Sequence, residues 1–165
     1  MKTLDEILAD KTIAILHFML SKIVKPDIVL EKITELDENQ IKEIKQKYGV
    51  ECVILDVDET LRKDMKSIPK VNKNWIEKTQ KHIKIVVLSN GRDKKVGDYF
   101  NEIGIRYISC AHKPLKKNFM KVCKEMNVQP DKVLVIGDSL FDDVLGGKRN
   151  NMKTALVKNV EDGER

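Results

Sequence analysis

Val53-Ile54-Leu55-Asp56-Val57-Asp58-Glu59-Thr60-Leu61 is an apolar run that ends in two carboxylates two residues apart, followed at once by a hydroxyl. Residues two apart in an extended strand point to the same side. Asp56 and Asp58 are therefore expected to project together from the strand's C-terminal end. Two anions held that close repel each other unless a cation or a proton sits between them. Open α/β sheets put their chemistry at such strand ends.

Working outward, further apolar runs at Ile83 to Leu88, Arg106 to Ser109, Lys132 to Ile136 and Thr154 to Val157 read as strands. Segments with helical spacing separate them: 38–48 with Ile41, Ile44 and Tyr48 inward, 71–82 with Val71, Trp75, Ile76 and Thr79, 93–103 with Val96, Tyr99, Phe100 and Ile103, and one after Lys113-Pro114 with Leu115, Phe119, Val122, Cys123 and Met126. Asp37 with Gln40 three residues on reads as a capping box, and Gly49 closes that helix. Strands alternating with helices of this length predict right-handed βαβ units and a mainly parallel sheet, here of five strands. Near-continuous apolar strands suit burial on both faces. Strand one ends in Asp56, strand two in Ser89 and strand four in Asp138, and Lys113 follows strand three, so polar groups converge on one edge.

The chain has 165 residues, 35% of them charged, with a net charge of +5. That suits one core-forming domain. The basic excess is local: residues 62–84 carry Arg62, Lys63, Lys66, Lys70, Lys73, Lys78, Lys81 and Lys84 against Asp64 and Glu77. This reads as a solvated lysine face or as an electropositive rim for an anion. Cys52, Cys110 and Cys123 form no CxxC pair, and no secretory signal is expected, which together suggest a reducing cytoplasmic setting. Residues 3–24 read as a helix, and Thr12 to Ser21 is uncharged over ten residues, too short to span a bilayer, which needs about 20. It either packs on the domain or lies in a membrane interface. His17 in this stretch reads as structural.

A carboxylate pair, a hydroxyl, a lysine and a late acidic cluster suit phosphoryl transfer, with a carboxylate as nucleophile and a hard cation between the anions. Asp56 is the expected nucleophile and Asp58 the acid/base. Asp138 and Asp56 would hold Mg²⁺, Ser89, Asn90 and Thr60 would contact the phosphate, and Lys113 would offset charge.

Asp56-Val57-Asp58-Glu59-Thr60, Ser89-Asn90, Lys113-Pro114 and Gly137-Asp138-Ser139-Leu140-Phe141-Asp142-Asp143 together resemble the four ordered motifs of the haloacid dehalogenase (HAD) phosphatases. The resemblance implies a three-layer Rossmann-like fold and an aspartyl-phosphate on Asp56. It implies Mg²⁺ held by Asp56, Asp138, an acidic residue of the late loop and the backbone carbonyl of Asp58. Asp138 to Gly147, Arg149, Thr154 and the Lys25-Pro26-Asp27 region are similar to the YqeG-like subgroup (subfamily IIIA), which includes phosphatidylglycerophosphate phosphatases. That subgroup tends to have Asn at position 59, Gln at 139 and Thr-Asp at 142–143, so Asp143 takes the second acidic metal role and Asp142 is the runner-up.

Residues 1–36 are expected to form an N-terminal helical extension and 37–165 the HAD-like domain. The short stretches after Leu61 and between Asn90 and Lys113 leave no room for a cap domain. An uncapped site suits a large or surface-bound phosphomonoester, such as phosphatidylglycerophosphate on an anionic membrane face, with the protein cytoplasmic or peripheral there. The alternatives are a soluble phosphatase of nucleotides, sugar phosphates or phosphoproteins, and a non-catalytic HAD-fold binding protein. No nucleic-acid partner is expected, and nothing in the sequence sets an oligomeric state.

Overall fold

The computed structural model describes residues 4–161, apart from the side chains of residues 4–8 and 17, so His17 lies outside the described side chains. Six parallel strands form one sheet in the order β1-β6-β5-β2-β3-β4. They are β1 (Ile28–Leu30), β2 (Cys52–Leu55), β3 (Lys84–Leu88), β4 (Arg106–Ile108), β5 (Val133–Gly137) and β6 (Lys153–Val157). The helices are α1 (Leu4–Ile23), α2 (Glu38–Tyr48), α3 (Lys70–Thr79), α4 (Lys94–Glu102), α5 (Lys116–Met126) and α6 (Gly146–Arg149).

Alternation along β2 explains the three layers. Val53 and Leu55 join one apolar cluster with Ile41, Trp75, Ile76 and Phe100 from α2, α3 and α4. Cys52 and Ile54 join the other, with Phe119, Val122 and Cys123 from α5. Leu55 lies opposite Val87 on one side and Ile136 on the other. The chain therefore leaves β2 level with the ends of β3 and β5, and the Asp56 amide donates to the Ile136 carbonyl at 2.9 Å. Between β2 and its neighbours the strand order reverses, and such a switch point is where open α/β sheets open a crevice.

The expected five strands are six. Ile28–Leu30 adds an edge strand, paired with Ala155–Val157 of β6. Its anchor is Asp27, whose Oδ2 accepts the Thr154 amide at 2.8 Å, a pairing 127 residues apart that local periodicity does not announce. The sheet thus draws on residues assigned to the N-terminal extension. The Asp37–Gln40 capping box forms, and Gly49 closes α2 at φ 66°. Tyr48, Val71 and Leu115, expected inward, are exposed. Each stands at a helix end, where the buried stripe has already turned away: Tyr48 is the last residue of α2, Val71 lies in the first turn of α3, and Leu115 caps α5.

α1 meets the rest of the chain at the 140–145 turn. Ile13, Ile15, Leu16, Phe18, Met19 and Ile23 along it are exposed. No helix among the described residues is long and apolar enough to cross a membrane.

Candidate active site

Asp56 is the first residue beyond β2 and is buried. Its Oδ1 accepts a hydrogen bond from Lys113 Nζ at 2.7 Å, and its Oδ2 accepts one from Thr60 Oγ1 at 3.0 Å. Lys113 Nζ also donates to Asp143 Oδ1 at 2.6 Å. Carboxylate oxygens of Asp56, Asp138 and Asp143 all lie within 4.8 Å of one another. Residues from three separate sequence motifs thus meet at the mouth of β2 and β5.

The turn after β5 explains how Asp143 gets there. Ser139 caps a π-helical turn, Leu140–Leu145, by accepting the Asp142 amide at 3.0 Å. That turn swings Asp143 back so that its Oδ2 accepts the Ser139 amide at 3.2 Å. The carboxylate then presses on Gly137, where a Cβ would fall 2.1 Å from Oδ2. No side chain larger than hydrogen fits there. Asp142 is half-buried and outside this trio, next to Asn90.

Charge is unbalanced in the trio: three carboxylates share one ammonium. Burial pushes the Asp138 carboxyl up to about 7, and Asp56 adds to the effect. Burial also raises Asp143, although Lys113 works against it. Burial alone would lower the Lys113 ammonium, but Asp143 and Asp56 outweigh it and hold the group above its ordinary range. Carboxyls that retain protons near neutral pH mark an excess of negative charge. Three convergent, hard carboxylate oxygens fit a divalent cation such as Mg²⁺, which relieves that excess.

The β3 side of Asp56 is built differently. Asp58 Oδ1 accepts from Arg62 Nε at 2.7 Å, and Arg62 NH1 donates to Asp93 Oδ2 at 2.7 Å. Arg62 is buried, so it is no part of an exposed rim. Burial works against its charge, but Asp93 and Asp58 more than compensate. The second oxygen of Asp58 lies beside Gly91, with 3.2 Å between it and the position a Cβ would take. Ser89 is buried and its Oγ accepts the Gly91 amide at 3.2 Å, which leaves its own hydroxyl hydrogen to donate elsewhere.

Two expected phosphate contacts are committed to other partners. Thr60 is fully buried and its hydroxyl lies between Asp56 and Asp138, 3.3 Å from Asp138 Oδ1, so it supports the carboxylates. Asn90 accepts the Lys113 amide at 2.7 Å and donates to the Lys113 carbonyl at 3.3 Å, clamping the backbone that carries the lysine. Sequence reasoning missed the Arg62–Asp93 support for Asp58. The acidic residue two positions after Gly91 was a usable signal, but its partner stands 31 residues earlier.

A fold of this order, with a buried carboxylate just beyond β2, a lysine after β4 and paired aspartates after β5, defines a class. The chain belongs to the haloacid dehalogenase-like hydrolases, whose family model matches residues 20–151. It is 33% identical over 141 residues to the protein named probable phosphatase YqeG of Bacillus subtilis (strain 168), an alignment covering 84% of this chain and 80% of that one. Among solved structures, an uncharacterized protein from Listeria monocytogenes serotype 4b superposes with a TM-score of 0.56 at 18% identity, covering 70% of this chain and 84% of that one. A HAD family enzyme from Bacteroides thetaiotaomicron, solved with magnesium and inorganic phosphate, superposes at 0.55 with 12% identity over 69% of this chain and 97% of that one. These two likenesses concern the fold.

Proposed function

We propose that the protein is a Mg²⁺-dependent phosphomonoester hydrolase working through an aspartyl-phosphate on Asp56. The observation that carries this reading is the buried cluster in which Lys113 bridges Asp56 and Asp143 while Thr60 holds the other oxygen of Asp56. Such contacts fix the carboxylate's orientation before substrate arrives, which is how positioning lowers a barrier. Asp56, Asp138 and Asp143, with the carbonyl of Asp58, would hold the ion, which supplies charge neutralisation between nucleophile and phosphate.

In the first step a carboxylate oxygen of Asp56 bonds to phosphorus as the ester P–O bond breaks, and Asp58 gives its proton to the leaving oxygen. In the second, Asp58 takes a proton from water, the water oxygen bonds to phosphorus, and the Asp56–phosphorus bond breaks to release inorganic phosphate. Arg62 aims the Asp58 carboxyl throughout. Ser89 contacts a phosphate oxygen, and Lys113 offsets charge as it develops.

The substrate reading is a large or surface-bound phosphomonoester such as phosphatidylglycerophosphate. Two features support it: the strands around the site are joined by short helical connections with no inserted cap, and α1, which meets the 140–145 turn, carries exposed Ile15, Phe18 and Met19. Apolar side chains on a helix with flanking lysines suit a membrane interface. Hydrolysis of an aryl phosphate should require Mg²⁺ and stop in excess chelator; full activity with chelator refutes the metal role. Flotation with anionic but not neutral vesicles is expected. No flotation, together with fast turnover of a nucleotide or sugar phosphate, moves the assignment to a soluble phosphatase.

A further inference from the structure

At 3.6 residues per turn the side chains of α1 fall into three stripes, each about a quarter turn from the next. Half-buried Leu20 and, one turn on, buried Val24 mark the side turned to the domain, and the Val24 amide donates to the Leu20 carbonyl at 2.7 Å. Lys11, Ile15, Phe18 and Lys22 form the stripe opposite, and Lys22 Nζ lies 4.4 Å from the Phe18 ring centroid. Apolar groups flanked by lysines on that stripe suit an anionic membrane face. Thr12, Leu16, Met19 and Ile23 form a third stripe, spaced i, i+4, i+7, i+11 and lying within an arc of about 60°. Leu16, Met19 and Ile23 are exposed. Ile23 is 78% exposed although it directly precedes buried Val24, so this stripe points away from the domain. A membrane lying against the second stripe leaves the third uncovered. Contiguous apolar groups left in that position mark an interaction surface.

The spacing and the charge say what fits it. A 4-3-4 repeat of apolar positions is the seam of a helix that packs lengthwise on another helix. Residues 4–11 carry Asp5, Glu6 and Asp10 against Lys11, whereas Lys22 and Lys25 stand at the other end, with no acid between positions 11 and 26. Two copies of α1 laid parallel would set like charges together. Laid antiparallel, they set the acidic end of each against the basic end of the other and oppose the helix dipoles. We propose that α1 pairs antiparallel with α1 of a second copy of this chain through Leu16, Met19 and Ile23. The two-fold axis passes level with the bond between residues 17 and 18. Leu16 of one copy then meets Met19 of the other, and Thr12 meets Ile23, the a-to-d layers of an antiparallel pair. Such an isologous contact closes at two copies. It stands whether or not the phosphatase reading holds, and it leaves Ile15 and Phe18 on the outer side. The seam from Thr12 to Ile23 is about 17 Å long. The area it buries falls below the roughly 1,200 Å² of a stable interface, so the pair is weak, with a Kd on the order of 10–100 µM.

The test is sedimentation equilibrium of the full chain from about 1 to 500 µM, a range that brackets a weak pair. The average mass should rise from one chain toward two. The double variant Leu16→Lys, Ile23→Lys should weaken association at least about tenfold, because it places ammonium groups in the seam. The double variant Ile15→Lys, Phe18→Lys should keep the wild-type association. All four side chains are exposed, so both variants should retain the wild-type circular dichroism spectrum. Direction is read by cross-linking in a Cys110→Ser background. A chain with Thr12→Cys should form a disulfide with a chain carrying Ile23→Cys on air oxidation, and neither should cross-link to itself. A single chain at every concentration overturns the pair, and so does association that Leu16→Lys, Ile23→Lys leaves unchanged. Self-cross-linking of either cysteine variant overturns the antiparallel arrangement. A wild type that floats with anionic vesicles yet stays a single chain in solution and on the vesicles gives α1 to the membrane alone and likewise overturns the pair.

Discussion

The two sides of Asp56 invite comparison. Toward β5 lies an acidic wall, tightly packed, where Asp138 and Asp143 sit with Lys113 in low-dielectric surroundings. Toward β3 lies a basic wall, where Arg62 joins Asp58 to Asp93 and opens onto lysines facing solvent. One wall gathers three carboxylates and suits a cation. The other suits an anion and is open. In the proposed mechanism the difference divides the work: the acidic wall would hold the ion and orient Asp56, and the basic wall would aim Asp58.

The comparison breaks most readily at its centre. Asp56→Asn should lower aryl phosphate turnover at least about 10³-fold, as removal of a nucleophile does, without loss of the folded state by circular dichroism. On the acidic wall, Gly137→Ala forces a Cβ into Asp143. It should lower stability by about 1–3 kcal/mol in urea unfolding, and activity with it. On the basic wall, Asp93→Asn weakens the hold on Arg62. We expect a loss of about tenfold in kcat with KM for propyl phosphate little changed, the pattern of a misaimed proton donor. A smaller effect should have the opposite sign. Because the folded Asp138 carboxyl titrates well above an ordinary aspartate, the unfolded chain loses that proton first as pH rises. The group therefore opposes folding increasingly from about pH 4 up to about pH 7, and fully above it. Asp138→Asn should then raise the metal-free Tm at pH 8 by about 3 °C, roughly 1 kcal/mol for a chain of this length, while abolishing the benefit of added Mg²⁺. The smallest change sits between the walls. Glu59 has φ 58°, a left-handed conformation that Asn tolerates better. Glu59→Asn should stabilise by about 0.5 kcal/mol or less in the same unfolding assay.

Much of this arrangement is readable from the residues. β2, β3 and β5 are near-continuous apolar runs, and each stops at a polar residue, so the sheet and its active edge follow from pattern alone. Asp56 and Asp138 stand at those stops, whereas Asp143 follows only from the resemblance of the late acidic loop to the family's fourth motif. What escaped was fixed by contacts distant in sequence. β1 exists because β6 offers an edge and Asp27 anchors to Thr154. Arg62 reads as one more cation in a lysine-rich stretch, yet Asp58 and Asp93 draw it inward. Thr60 and Asn90 are expected at the phosphate, and their side chains also meet groups of the protein itself. The Asp56 carboxylate takes the Thr60 hydroxyl and the Lys113 amide takes Asn90 Oδ1. A sequence lists which groups can pair, and packing decides which do.

The central claim is that Asp56 becomes covalently phosphorylated during turnover. Rapid acid quenching with a labelled phosphomonoester in Mg²⁺, followed by peptide mapping, tests it directly. An acid-stable, base-labile phosphoryl group is expected on the peptide containing Asp56, formed in a burst and absent from Asp56→Asn. A phosphoryl group on another residue, or undiminished turnover by Asp56→Asn, would contradict it.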